Sequence, residues 1–151
     1  MQFTFDPTQV SAGIKIFDKG TYEFAIGQPK PFFKDAQNDK SENFGVRYVL
    51  TDRASGDKYI QTCYMHNQGG QSFSKGFMMA AYGFARNQEN EFNAFCRKEF
   101  TEKDYAFSHE DNSAGRYWTE VAGKNIVADM DVQFDAKSGN QQQKVQFRPI
   151  E

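Results

Sequence analysis

The chain has 151 residues and a formal net charge of -2. That length suits one domain with a real core. So small a charge gives no global basic field to draw nucleic acid or an anionic membrane to the whole molecule. No apolar run nears the roughly 20 residues of a membrane span. Hydrophobic residues make up 38% of the chain and aromatics 16%, with 16 Phe and 7 Tyr, so rings must supply much of the apolar volume. An aromatic core absorbs most of them; rings left on a sheet surface are candidates for binding. Cys63 and Cys96 sit in different expected elements with no CxxC spacing, and MQFTFDPTQV does not read as a secretory leader. The expectation is a reduced, cytoplasmic protein.

Residues 1–19 alternate weakly and contain Pro7 and Gly13, which reads as an arm or lead-in that packs Phe3 and Phe5. Gly20 opens the first strand, with Tyr22, Phe24 and Ile26 on one face. Pro29 and Pro31 then exclude a helix and favour an extended loop. Asp35 to Asn43 is a polar loop tip. Phe44 to Asp52 is the second strand: Val46, Tyr48 and Leu50 face one way, Gly45, Arg47, Val49 and Thr51 the other. A turn at Asp52 to Asp57 leads into a third strand, Lys58 to Met65, whose two faces are both bulky and leave its orientation open.

Gln68 to Gly70 breaks the strand pattern. Ser72 is the expected cap of a helix carrying Phe73, Phe77, Ala80, Ala81 and Phe84 at helical spacing. Glu91 to Phe100 reads as a second short helix, and Thr101 to Tyr117 as irregular apart from a possible helical turn at TEKD. The clearest pattern closes the chain. Ile126, Ala128, Met130, Val132 and Phe134 alternate with polar neighbours, turn residues follow from Asp135 to Asn140, and Val145 and Phe147 alternate with Lys144, Gln146 and Arg148. That is an antiparallel hairpin with one buried face, ended by Pro149. The order predicts a mainly β chain with a helical insertion at 72–100: a five-stranded antiparallel OB-fold barrel in one domain, with the helix between strands 3 and 4. A sandwich would read similarly.

Taken together, the arm FTFDPTQVS, the strand GTYEFAIGQPKP, the hairpin FGVRYVLTDRASGDKYI and the ending GKNIVADMDVQFDAKSGNQQQKVQFRP resemble the small phage-encoded OB-fold single-stranded-DNA-binding proteins. The resemblance spans nearly the whole chain and rests on strand and turn patterns, not on invariant signatures. It implies cooperative coating of single-stranded DNA during phage replication or recombination, in the cytoplasm of an infected bacterial host cell. Partners would be neighbouring copies along the DNA and phage replication or recombination proteins, with no cofactor. Many relatives in function recruit such proteins through a flexible acidic tail; the ending Arg148 to Glu151 carries none, which puts that route in doubt.

Binding single strands without sequence preference needs cations along the phosphates and flat faces for the bases. Lys30, Phe32, Phe33 and Lys34 interleave both in the loop after the first strand. Arg47, Lys58, Tyr59 and Tyr64 lie on the next hairpin, and Lys144 and Arg148 share one face of the last strand. In an OB-fold those places flank one groove, and acidic residues filling it would end the reading. Each residue also has a plainer role. Phe32 and Phe33 can plug a barrel end. Tyr59 and Tyr64 fall on opposite faces, so at least one belongs to the core. Lys144 and Arg148 can be an ordinary solvated face.

Other chemistry is weak. Cys63, His66, Cys96 and His109 match no zinc spacing. Asp129 and Asp131 share a wet strand face with no third ligand near in sequence. Gly69 and Gly70 make no phosphate loop, and Ser72 and Ser74 sit in no nucleophile elbow. The sequence does not read as an enzyme. The competing readings are a phage structural or protein-interaction module with a barrel or sandwich core, and an oligosaccharide-binding barrel, which would need no lysines beside its rings.

Overall fold

A computed structural model describes residues 2–6, 8, 16–36 and 41–150. The chain folds in the order β1 (Gly20–Ile26), β2 (Lys30–Lys34), β3 (Asn43–Asp52), β4 (Lys58–Tyr64), α1 (Gln68–Ala81), α2 (Glu89–Glu99) and α3 (Glu102–Tyr105). It continues through β5 (Phe107–Ser108), β6 (Ser113–Ala114), α4 (Arg116–Thr119), β7 (Asn125–Phe134) and β8 (Gln141–Arg148). The architecture is mainly β and antiparallel, with the helices inserted between β4 and β7.

β3 is the central organiser. β4 runs along one of its edges from Gly45 to Thr51. β2 and then β1 run along the other, pairing with Asn43 to Arg47 and with Leu50 to Asp52. The expected first strand and the proline stretch after it are thus two strands on the same edge of β3, separated by a bend at Gly27 to Pro29, and Lys30 to Lys34 form a ladder where a loop was expected. Gly27 suits the bend: its N–H donates to the Val49 carbonyl at 2.9 Å, and a β-carbon would sit 2.9 Å from that same oxygen. The bend frees β1 to pair with β7 on its far edge, and β7 pairs with β8. The strand sequence across the sheet is therefore β4, β3, β2 and β1 together, β7, β8. No ladder joins β4 to β8 among the described residues, so the sheet stays open.

The space between those two edge strands is filled from two sides. α1 packs on both β4 and β8. Its Phe77 ring lies 5.3 Å from the Tyr48 ring and 4.9 Å from the Phe147 ring. Phe17, from the lead-in, fills the other part: its N–H and C=O bond the Gln143 side-chain amide at 2.7 and 3.1 Å, while its ring meets Tyr22, Phe24 and Tyr59. A glutamine side chain here stands in for a strand backbone. Phe3 and Phe5 are exposed, so Phe17 is the ring with which the lead-in packs. Residues 9–15 of the expected arm and 37–40 of the expected loop lie outside the described residues.

Alternation then sorts the side chains. Phe24, Ile26, Val46, Tyr48, Leu50, Cys63, Ile126, Ala128 and Met130 are buried on the inward face. Gln61, Cys63 and the half-buried Tyr59 also point inward, which settles the orientation of the third expected strand. The Tyr48 hydroxyl reaches the Trp118 carbonyl at 2.6 Å, as a buried phenol requires. α1 begins earlier than expected: Asn67, not Ser72, is its cap, its side chain accepting from the Gly70 N–H at 2.7 Å. Ser74, Phe77, Met78 and Ala81 then form its buried stripe. Phe134 departs from the alternation it was expected to complete. It is 71% exposed, because β7 and β8 run past the end of β1 as a two-stranded ribbon.

Candidate functional site

The ladder registers decide which side chains share the outward face. Lys30 lies opposite Arg47 and Arg47 opposite Thr62; Phe32 lies opposite Gly45 and Gly45 opposite Tyr64. Outward from β2 point Lys30, Phe32 and Lys34; from β3, Asn43, Gly45, Arg47, Val49 and Thr51; from β4, Lys58, Ile60, Thr62 and Tyr64. This surface carries four cations, Lys30, Lys34, Arg47 and Lys58, and no carboxylate. It also keeps apolar surface in water: Val49 is 44% and Ile60 60% exposed, side by side across the ladder.

The ring geometry depends on a missing side chain. A β-carbon at Gly45 would overlap the Cys63 carbonyl, so the position between Phe32 and Tyr64 stays empty. Across it the two rings meet edge to face at 5.8 Å. The Arg47 guanidinium lies 4.2 Å from the centre of the Phe32 ring, a cation–π contact that holds a positive charge beside a flat surface. Lys58 donates to the Thr51 hydroxyl at 2.8 Å, which orients its ammonium over the same sheet.

Six of the ten residues expected from sequence, Lys30, Phe32, Lys34, Arg47, Lys58 and Tyr64, are thus brought to one face. The other four are not. Tyr59 points into the core between Phe17 and Phe24, where burial raises its phenol pKa. Phe33 sits on the opposite side of β2 from Phe32, its ring near-parallel to His109 at 5.0 Å and to Phe44 at 6.3 Å. Lys144 and Arg148 point outward from β8, but β1 and β7 lie between β8 and the basic face. Arg148 bonds Asp129 at 2.9 Å; that bond and one from the Thr21 hydroxyl hold the Asp129 carboxyl below its ordinary pKa.

Sequence reasoning passed over Val49, Ile60, Phe44 and His109. Val49 shares the alternation phase of Arg47, so its place on the outward face was readable. His109 lies in a polar stretch without periodicity and offered no signal.

Cys63 is fully buried, and burial pushes its thiol pKa up to about 12. Ser74 is buried and donates to the Gly70 carbonyl. Among the described residues no three of His, Cys, Asp and Glu converge on a metal-sized site, and no helix is long and apolar enough to cross a membrane. Comparison of the chain with protein-family models and with curated proteins finds no match.

Proposed function

We propose that the chain binds single-stranded DNA, without strong sequence preference, on the outward face of β2, β3 and β4. One observation carries the reading: an all-cationic strand face, in a chain of net charge -2, with Phe32, Tyr64, Val49 and Ile60 at its surface. Phosphates would follow Lys30, Lys34, Arg47 and Lys58 while bases rest on the rings and the aliphatic pair. The strand order supports it. With β1 and β2 counted as one bent strand, the sheet has the neighbour relations of an OB-fold short of closure, with α1 in the place of the closing ladder, and β3 and β4 are the strands that bind in that fold. In this reading the protein coats exposed strands during phage replication or recombination in the host cytoplasm, beside copies of itself and replication or recombination proteins, and is not an enzyme.

The test is fluorescence anisotropy with labelled mixed-sequence oligonucleotides, duplex competitor and two salt concentrations. Single strands should bind, duplex should compete poorly, and affinity should fall with salt. Phe32→Ala and Tyr64→Ala should each weaken binding by roughly 5- to 150-fold, the equivalent of about 1–3 kcal/mol per stacked base. The exposed Val49 and Ile60 favour a second reading, a protein-interaction module. Single-strand binding absent from a folded sample at low salt would select it.

A further inference from the structure

The helical insertion reaches back to the basic face through one small hairpin. β5 and β6 pair Phe107 with Ala114 and Ser108 with Ser113, and both strands pack against β2. The hairpin base is anchored: the Gly115 N–H donates to the Ala106 carbonyl at 2.8 Å, the Trp118 indole donates to the Tyr105 carbonyl at 2.8 Å, and Phe107 meets the Trp118 ring at 5.8 Å. Its turn is set by Asn112 at a φ of 56° and by the Ser113 hydroxyl bonded to Asp111 at 2.7 Å. This rigid frame presents His109, exposed, with its imidazole laid at 18° to the Phe33 ring.

The stack joins the basic face by ring contacts alone. Phe33 lies beside Phe44, Phe44 meets His66 at 6.2 Å, His66 meets Tyr64 at 5.5 Å, and Tyr64 meets Phe32. Rings therefore line the path from the outward face around the sheet to the insertion, and Lys34 at the end of β2 follows Phe33 directly. With His109 against Phe33, both residues of the stack keep exposed surface: His109 is exposed and Phe33 is 38% exposed. Glu110 and Asp111 follow it in the turn, so a nucleotide's contact at His109 would be through its uncharged base and not its phosphate.

We propose that His109, supported flat on Phe33, is a second base-stacking platform, so that a single strand bound on the outward face continues round the end of β2 onto the β5–β6 hairpin. This rests on the single-strand reading above.

The test uses the full chain and labelled oligothymidylates from about 4 to 16 nucleotides, the range of site sizes for one such domain. His109→Ala should bind the shortest oligomers like the unmodified protein and the longer ones roughly 5- to 150-fold more weakly, the loss of one stacked base. Its salt dependence should be unchanged, since no phosphate contact is lost. His109→Phe should restore affinity for the longer oligomers. In the unmodified protein, the His109 ring proton resonances should move upfield as oligomer is added, a readout independent of how any variant folds. Equal length dependence in both proteins with unmoved His109 resonances, while Phe32→Ala weakens binding at every length, would overturn this inference and leave the outward face as the whole site. Failure of the unmodified protein to bind any oligomer would remove both.

Discussion

At position 48 a phenol is completely buried, and its hydroxyl has a single geometric solution, the Trp118 carbonyl at 2.6 Å. That bond joins β3 to the turn of helix before β7. Tyr48→Phe keeps the ring and strands the carbonyl, so it should destabilise the fold by about 1–3 kcal/mol, read as a lower urea midpoint with an unchanged slope. Binding to single strands should be untouched, because Tyr48 faces away from the cations. Parity is what separates residues of this kind in sequence. Tyr48 was legible as sharing one face with Val46 and Leu50 because β3 is long and alternates cleanly. Phe32 and Phe33 were not separable, because β2 is five residues long and begins beside prolines. Tyr59 was not placed because both faces of β4 are bulky, and only pairing with β3 resolves them.

Among the elements, α1 has the most demanding position, lying against both edge strands of an open sheet. Phe77 is the side chain that spans Tyr48 and Phe147. Phe77→Ala should cost about 3–5 kcal/mol, and amide exchange should rise in β4 and β8 before it rises in β3. Uniform acceleration through the whole sheet would show instead that α1 is not what holds the two edges together. The helix was partly legible. Its apolar spacing stood out, but Gly69 and Gly70 read as breakers when they form its first turn behind an Asn67 cap. β7 and β8 were the plainest elements in the sequence, with one exception: alternation marks which way Phe134 points and cannot say that no β1 residue remains beside it. Lys144 and Arg148 fail for a related reason. Their face was legible, but the number of strands between them and the basic face is set by long-range pairing.

Across the whole molecule the outward sheet surface is divided by charge. β2, β3 and β4 present Lys30, Lys34, Arg47 and Lys58, whereas β1 and β7 present Glu23, Asp129 and Asp131. Glu23 is paired with Arg53 at 2.6 Å and Asp129 with Arg148. A net charge near zero concealed this division, and only the order of strands reveals it. Lys30→Gln and Lys34→Gln should each lower the slope of log affinity against log salt by about 0.7, the value for one single-strand phosphate contact. Lys144→Gln should leave the slope unchanged. Equal effects from all three would place the strand along β8 as well. A different property of the whole follows from the tie between Phe17 and Gln143, residues separated by 126 positions. Ribosomes release the chain from its amino end, so this tie forms only after β8 has been made, and the ladder between β1 and β7 only after β7. β2, β3 and β4 need no later segment to pair and can assemble during synthesis. The basic face can therefore form first, with Phe17 and β8 closing the core last.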